Sequence, residues 1–311
     1  MDLTVIIPVC NEEKNVTLLF NKIEKELENL NYEIIFINDG SSDNTEKVLN
    51  ELYLKDSKHI KIIDFSRNFG KDAAIYAGLT YAKGKYSVII DGDLQQDPKY
   101  LPKMYDFLEN NPDYDVVAMT INKRENMNIF KKIGGSLFYF VVNKISYINF
   151  YKNASDFRMF RNNVKKAFLS LNESNRFSKG IFSWVGFKTK YMRYDVLNRQ
   201  FGKTKFNYNN AIKYASSGII NYSNRLLLVP FKIGAVFSLV GFIALLCLII
   251  ISIIKKEIYN DFLWIISLIT FFFGIIMLFQ GITGAYLSIL FQEVKNRPIY
   301  IIKNSKGIDN K

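Results

Sequence analysis

Two carboxylates, Asp91 and Asp93, stand one residue apart directly after the apolar run Tyr86–Ile90. At the mouth of a buried strand, that spacing lets both side chains face one hard divalent cation. Mg²⁺ and Mn²⁺ are held by one or two carboxylates together with substrate phosphate oxygens, and the bound ion neutralises charge on a leaving diphosphate as a Lewis acid. Gln95 adds either an oxygen ligand or a bridging hydrogen bond. An Asp-x-Asp alone is common; its place after the fourth strand gives it weight. Three more polar clusters follow apolar runs: Pro8–Glu12, Asp39–Asp43 and Ser66–Lys71. Each alone reads as a turn. Four on one rim read as a ligand site, because open α/β sheets bind ligands beyond the carboxyl ends of their strands.

Other chemistries have little to work with. His59 is the single histidine and precedes a strand without a partner motif. The two cysteines, Cys10 and Cys247, lack metal-ligand spacing and are poorly placed for a disulfide. Histidine-based catalysis and zinc chemistry are therefore set aside.

The elements that must position these loops follow from the pattern of the first 120 residues. Strands are expected over Leu3–Val9, Glu33–Asn38, Ile60–Phe65, Tyr86–Ile90 and Asp115–Met119, and helices over Glu12–Leu30, Asn44–Lys55, Lys71–Ala82 and Lys99–Asn110. Asn11 is the expected cap of the first helix, and Asp43 with Glu46 reads as a capping box. Gly84 stands where a left-handed residue would end the third helix, and Pro98 suits the first turn of the fourth. This alternation predicts an α/β fold with a doubly wound, mostly parallel sheet.

Charge is unevenly spread along the 311 residues, whose formal net charge is +12. Residues 1–122 carry −8, residues 123–213 carry +15 and residues 214–311 carry +5. The middle segment must face something anionic. Two uncharged apolar stretches, Ile233–Ile254 and Phe262–Phe291, are each long enough to cross a hydrocarbon core. Anionic lipid is therefore the expected partner of the basic segment, in preference to nucleic acid. Residues 128–150 place Ile129, Phe130, Ile133, Leu137, Phe138, Val141, Val142 and Ile145 at helical spacing among Lys131, Lys132 and Lys144. That pattern suits an interfacial amphipathic helix and also a buried helix. A second such segment, Phe206–Leu228, leads into the first apolar stretch. Leu3–Val9 is too short for a signal sequence and lacks a basic leader, so the N-terminal part is expected to stay in the cytoplasm. A two-helix transmembrane hairpin would return the C-terminal tail to the same side.

The runs PVCNEE at 8–13, INDGSSDNT at 37–45, SRNFGKDAAIYAGL at 66–79 and DGDLQQDP at 91–98 resemble the family-two glycosyltransferases with a GT-A fold. Downstream, ASDFRMF at 154–160 and RQFGKTKF at 199–206, followed by two apolar stretches, look like the polyprenyl-phosphate branch of that family. The branch includes bactoprenol glucosyltransferases and dolichol-phosphate mannose synthases. The chain departs from the pattern at Cys10, where many relatives carry an aromatic residue, and at Ile121 and Val196, near positions where arginine is expected.

The resemblance implies roles for matching residues. Pro8, Val9, Asn11, Glu12, Asp39, Lys71, Asp91 and Gly92 would bind the nucleotide sugar, with Asp39 accepting from the base. Asp91, Asp93 and Gln95 would organise Mg²⁺ or Mn²⁺ and the diphosphate. Asp156 and Asp93 would be catalytic, Asp156 either as a weak base or as a group that orients neighbouring cations. Arg124, Lys131, Arg158, Arg199 and Lys205 would serve the sugar donor or the lipid phosphate. Residues 1–122 would then be the nucleotide-sugar and metal part, 123–230 the acceptor side, 231–291 the two membrane helices and 292–311 a cytoplasmic tail. The implied reaction is inverting transfer of a hexose, glucose from UDP-glucose first, to undecaprenyl phosphate for cell-envelope glycan modification. UDP-N-acetylglucosamine and GDP-mannose are the alternative donors. A processive polysaccharide synthase and an inactive membrane scaffold are the other readings, and homo-oligomerisation is left open.

Overall fold

Residues 1–122, 154–171, 173, 176–198 and 297–308, with scattered positions between 265 and 295, are described by the computed structural model. The four apolar runs that opened the sequence form strands β1 (Leu3–Val9), β2 (Tyr32–Asn38), β3 (Ile60–Phe65) and β4 (Tyr86–Ile89). Between and after them lie helices α1 (Val16–Glu26), α2 (Thr45–Lys55), α3 (Lys71–Tyr81) and α4 (Tyr100–Asn110). There follow β5 (Val116–Ile121), β6 (Ala154–Arg161), α5 (Asn162–Ser170), α6 (Ser178–Trp184), β7 (Thr189–Tyr194) and β8 (Ile302–Lys306).

The strands form one sheet in the order β7-β5-β6-β4-β1-β2-β3-β8. Its centre, β4-β1-β2-β3, is parallel, as the strand–helix alternation predicts. Two strands break the pattern. β6 inserts antiparallel between β4 and β5, and β8 runs antiparallel along β3. The sheet is thus mixed.

Period-two alternation sends neighbouring side chains to opposite faces. Val5, Ile7, Ile34 and Phe36 pack with Leu19 and Ile23 of α1, Leu49 of α2 and Leu101 and Met104 of α4. Ile6, Ile35 and Ile37 pack with Ala73, Ala74 and Ala77 of α3, Phe168 of α5 and Ile181 of α6. Burial on both faces is why the central strands read as continuous apolar runs. The alanines let α3 lie close to the sheet, and that fixes where its first residue, Lys71, can reach.

Four expected helix ends resolve differently. α1 begins at Val16 after Asn15, and Asn11 lies outside it in a left-handed conformation, φ 56°. Asp43 accepts from the Thr45 amide at 3.0 Å and hydroxyl at 2.6 Å, while Glu46 turns to Lys303, so no reciprocal box forms. Gly84 is not among the positive-φ glycines; a Cβ there would stand 2.6 Å from both Thr4 N and Tyr86 O, so it is required for close approach. Pro98 precedes α4, with its carbonyl accepting from Leu101 at 2.8 Å.

No helix among the described residues is long and apolar enough to cross a membrane. Residues 128–150, 206–228 and 233–254 lie outside the described residues, and 262–291 is described only at scattered positions. Those positions are helical, and Ile265, Ile269, Ile276, Leu287, Leu290 and Phe291 among them are exposed.

Candidate active site

The first two polar loops, after β1 and β2, interlock. The Asn11 side-chain oxygen accepts from the Ser42 amide at 2.7 Å, and the Asn11 amide donates to Ser41 Oγ at 2.9 Å. Its left-handed backbone allows both bonds at once, because asparagine tolerates that conformation. Glu12 is buried; its amide donates to Thr45 Oγ1 at 2.9 Å and its carboxylate accepts from Asn15 Nδ2 at 2.6 Å. Val9 is buried in the core with its carbonyl on the Asp39 amide at 2.9 Å, and Pro8 is half-buried.

Asp39 joins the second loop to the third. One carboxylate oxygen accepts from the Phe69 amide at 2.6 Å, and the other from the Gly70 amide at 3.0 Å. The carboxylate therefore sits at the N-terminus of α3, where the helix dipole favours a negative charge. Gly40, φ +61°, closes the junction: a Cβ would stand 2.4 Å from the Arg67 carbonyl carbon. Asn68 Nδ2 donates to the Asp39 carbonyl at 3.1 Å and lies 3.4 Å from Cys10 Sγ. Three loops from three strands are thus one hydrogen-bonded unit.

Lys71 extends from the start of α3 to two carboxylates on other elements. Its Nζ lies 2.6 Å from Asp91 Oδ1, after β4, and 2.8 Å from Asp156 Oδ2 on β6. Burial works against the Lys71 ammonium, but Asp156 and Asp91 outweigh it and hold its pKa well above the ordinary lysine value. Burial likewise opposes the Asp156 charge, and Lys179 of α6, Lys71 and Arg158 outweigh that, so its pKa lies well below the usual carboxylate range. Asp156 is therefore ionised and a poor proton acceptor. Asp72 receives the Ser178 amide at 2.9 Å, which ties α3 to the start of α6 and brings Lys179 to this cluster.

The fourth loop rests on the end of β1. A Cβ on Gly92 would lie 2.8 Å from Val9 Cγ1. Leu94 adopts φ 61° with its side chain buried, and Asp93 Oδ1 accepts from the Gln95 amide at 3.2 Å. A residue not singled out from sequence, Gln96, is buried and engages Asp91 twice. Its Oε1 accepts from the Asp91 amide and its Nε2 donates to Asp91 Oδ2, each at 2.9 Å. Gln96 also reaches Ser155 Oγ at 3.3 Å, and Ser155 in turn receives Tyr194 Oη at 3.3 Å. A second glutamine beside Gln95 was the available signal; nothing local says that it turns inward.

Of the expected site residues, the fold brings Asp39, Lys71, Asp91, Asp93, Gln95 and Asp156 to one rim. Arg158 lies behind this cluster on the same face of β6, near enough to lower the Asp156 pKa: it is 6% exposed, donates to the Ser155 carbonyl at 3.0 Å and lies 4.3 Å above the Phe182 ring. Arg124, Lys131, Arg199 and Lys205 lie outside the described residues. The Leu197 amide donates to the Gln95 carbonyl at 3.0 Å, so the chain approaching Arg199 runs beside the fourth loop.

The donor set around Asp91 and Asp93 is hard oxygen, which suits Mg²⁺ or Mn²⁺. Among the described residues no three acidic, histidine or cysteine side chains converge into a metal cage. A cation here would need diphosphate oxygens to complete its shell; Asp91 and Asp93, with Gln95 beside them, would hold it, and Asp91 Oδ1 would have to be shared with Lys71.

The Glycosyl transferase family 2 profile matches residues 4–168. The chain is 33% identical to the uncharacterized glycosyltransferase YkcC of Bacillus subtilis, over 99% of this chain and 95% of that protein. It is 34% identical to the prophage bactoprenol glucosyl transferase homolog of Escherichia coli K12, over 98% of this chain and all of that protein. The bactoprenol glucosyl transferase of Shigella phage SfII is 33% identical, with 98% of each chain covered.

Proposed function

We infer that this chain, which belongs to glycosyl transferase family 2, transfers a hexose from a nucleotide diphosphate sugar to a polyprenyl phosphate at a membrane surface. Glucose from UDP-glucose is the first donor and undecaprenyl phosphate the first acceptor. The observation that carries this reading is the full-length similarity to proteins named bactoprenol glucosyl transferases, which extends beyond the sheet to the apolar C-terminal third.

The site geometry supports the same chemistry. A phosphate oxygen of the lipid forms a bond to the anomeric carbon while the bond from that carbon to the nucleotide diphosphate breaks, and the diphosphate leaves with the electron pair. Attack opposite the leaving group inverts the carbon. Asp91 and Asp93 would hold the divalent ion, which when bound would supply Lewis-acid stabilisation of the leaving diphosphate. A phosphate monoester has a second pKa near ~6, so its attacking oxygen is already anionic at neutral pH and no strong base is needed. The depressed pKa of Asp156 agrees with that: its part is to orient Lys71 and Lys179 rather than to accept a proton.

Membrane attachment is supported by the exposed apolar residues on the helical positions between 265 and 294. β8 pairs with β3, so the chain leaves the catalytic sheet after Tyr194 and is back in it by Ile302. That return fits an even number of crossings, with sheet and C-terminus on the cytoplasmic side.

The test uses the purified full-length chain with Mn²⁺, undecaprenyl phosphate and, in parallel, labelled UDP-glucose, UDP-N-acetylglucosamine and GDP-mannose. A lipid-soluble labelled product from UDP-glucose is expected. Product from one of the other two alone reassigns the sugar, and none from any of the three overturns the reading.

A further inference from the structure

The end of the chain is built into the back of the nucleotide-side loops. β8 covers β3, which would otherwise offer a row of unpaired backbone groups as a sheet edge. The pairing matches Ile62 to Lys306, Ile63 to Ser305 and Asp64 to Asn304, then shifts so that Phe65 faces Ile302. One residue further on, the Ser66 amide donates to the Ile301 carbonyl at 3.0 Å. This bond lies at the entrance to the loop that leads to Lys71.

Side chains continue the contact. The Tyr300 ring stacks on Phe65 with centroids 5.1 Å apart and planes 14° apart, and lies 6.3 Å from Tyr76 of α3. Phe65 meets Phe69 edge-on at 5.6 Å. The Phe69 and Gly70 amides are the ones held by Asp39, and Lys71 follows immediately. Burial pushes the Tyr300 phenol up to about 12, so the ring stays neutral at every working pH.

We propose that Tyr300 is a positioning residue for the nucleotide half of the site. Its ring braces Phe65 and Tyr76 on either side of the third loop. That keeps the Phe69–Gly70 amides on Asp39 and Lys71 between Asp91 and Asp156. The C-terminal segment thereby links the helical residues before 297 to the donor site. The nucleotide in this statement rests on the proposed function; the bracing of the loop does not.

The experiment compares the full-length wild type with Tyr300→Ala, Tyr300→Leu and Tyr300→Phe. Hydrogen exchange is followed in the peptide from Phe65 to Asp72, and UDP affinity is measured with Mn²⁺ present. Tyr300→Ala and Tyr300→Leu should exchange faster at Phe69 and Gly70. They should also bind UDP about two- to ten-fold more weakly, the range that loss of one aromatic pair supports. Tyr300→Phe keeps the stack and loses only the hydroxyl's bonds to Thr80 and Tyr81, so it should recover most of both, and across the series KM for the donor should move more than kcat. If Tyr300→Ala fails to fold, Tyr300→Leu retains the bulk and decides the matter. Melting temperatures that fall while exchange and UDP affinity stay at wild-type values would overturn the proposal. A wild type that binds neither UDP nor GDP with Mn²⁺ overturns the nucleotide reading instead, and the exchange rates alone then decide whether Tyr300 holds the loop.

Discussion

Gln96→Met tests the candidate metal site at a residue that is not itself an expected ligand. Methionine keeps the side-chain length and removes three hydrogen bonds: from the Asp91 amide at 2.9 Å, to Asp91 Oδ2 at 2.9 Å and to Ser155 Oγ at 3.3 Å. Gln96 is 4% exposed, so water cannot readily replace it. Leaving a buried amide unpaired costs about 1–3 kcal/mol. The Asp91 side chain is 29% exposed, so solvent recovers part of the carboxylate bond and about 1 kcal/mol is lost there. The sum, roughly 2–4 kcal/mol, is within the stability of an ordinary domain, and the protein should fold. It should melt roughly 5–10 °C lower. The larger effect should fall on the metal, because groups that orient metal ligands are worth about 10–100-fold in affinity. Calorimetric titration of Mn²⁺ into UDP-saturated protein should show that loss in Gln96→Met and in Gln96→Ala alike. Mn²⁺ affinity within about two-fold of wild type, alongside the lowered melting temperature, would refute the reasoning and leave Gln96 a packing residue.

Asp93→Asn should lower kcat by about a hundredfold or more without changing the melting temperature, and near-normal turnover that still requires Mn²⁺ would remove Asp93 from the metal site. The stabilising part of Asp156 comes from a pKa depressed below the ordinary 3.8, so it is complete above that value and is lost as pH falls through the folded value. For Lys71, raised above 10.5, the contribution is complete below that value and is lost only as pH rises through the folded value. The melting-temperature gap between wild type and Asp156→Asn should therefore be flat from about pH 5 to 9 and shrink below about pH 4, and a gap that widens in acid would contradict the assignment. Gly40→Ala places a Cβ 2.4 Å from the Arg67 backbone at φ +61°, which should cost roughly 2 kcal/mol or more and weaken UDP binding by displacing the third loop. Chemical denaturation and UDP titration of the same preparation check both effects.

Much of the donor half was legible in the chain. Strands β1 and β3 match the expected limits, and β2, β4 and β5 differ by one or two residues, because two-sided burial writes a continuous apolar run. Helix ends were less legible. Asn11 and Gly84 have the residue types of caps, yet tertiary contacts with Ser42 and the β1 backbone engage them instead, while Asp43 stays on the nearby Thr45 and its expected partner Glu46 is drawn away by Lys303. Side-chain competition for backbone partners is decided by which neighbour arrives, and a local window does not contain that neighbour.

Local pattern dictated which residue types lie at the strand ends, since composition and short-range periodicity set where each strand stops and a polar loop begins. It thereby put Asp91 and Asp93 after β4, and Asp39 after β2. What those carboxylates touch was a matter for the folded chain. Lys71 and Asp156 are 85 residues apart, and their meeting depends on β6 entering antiparallel beside β4. Gln96 turns inward because Ser155 of that same strand receives it, and Tyr300 reaches Phe65 from the far end of the chain through β8. Such pairings form where burial and hydrogen bonding outweigh the entropy lost in closing a long loop, a balance that no single stretch of sequence carries.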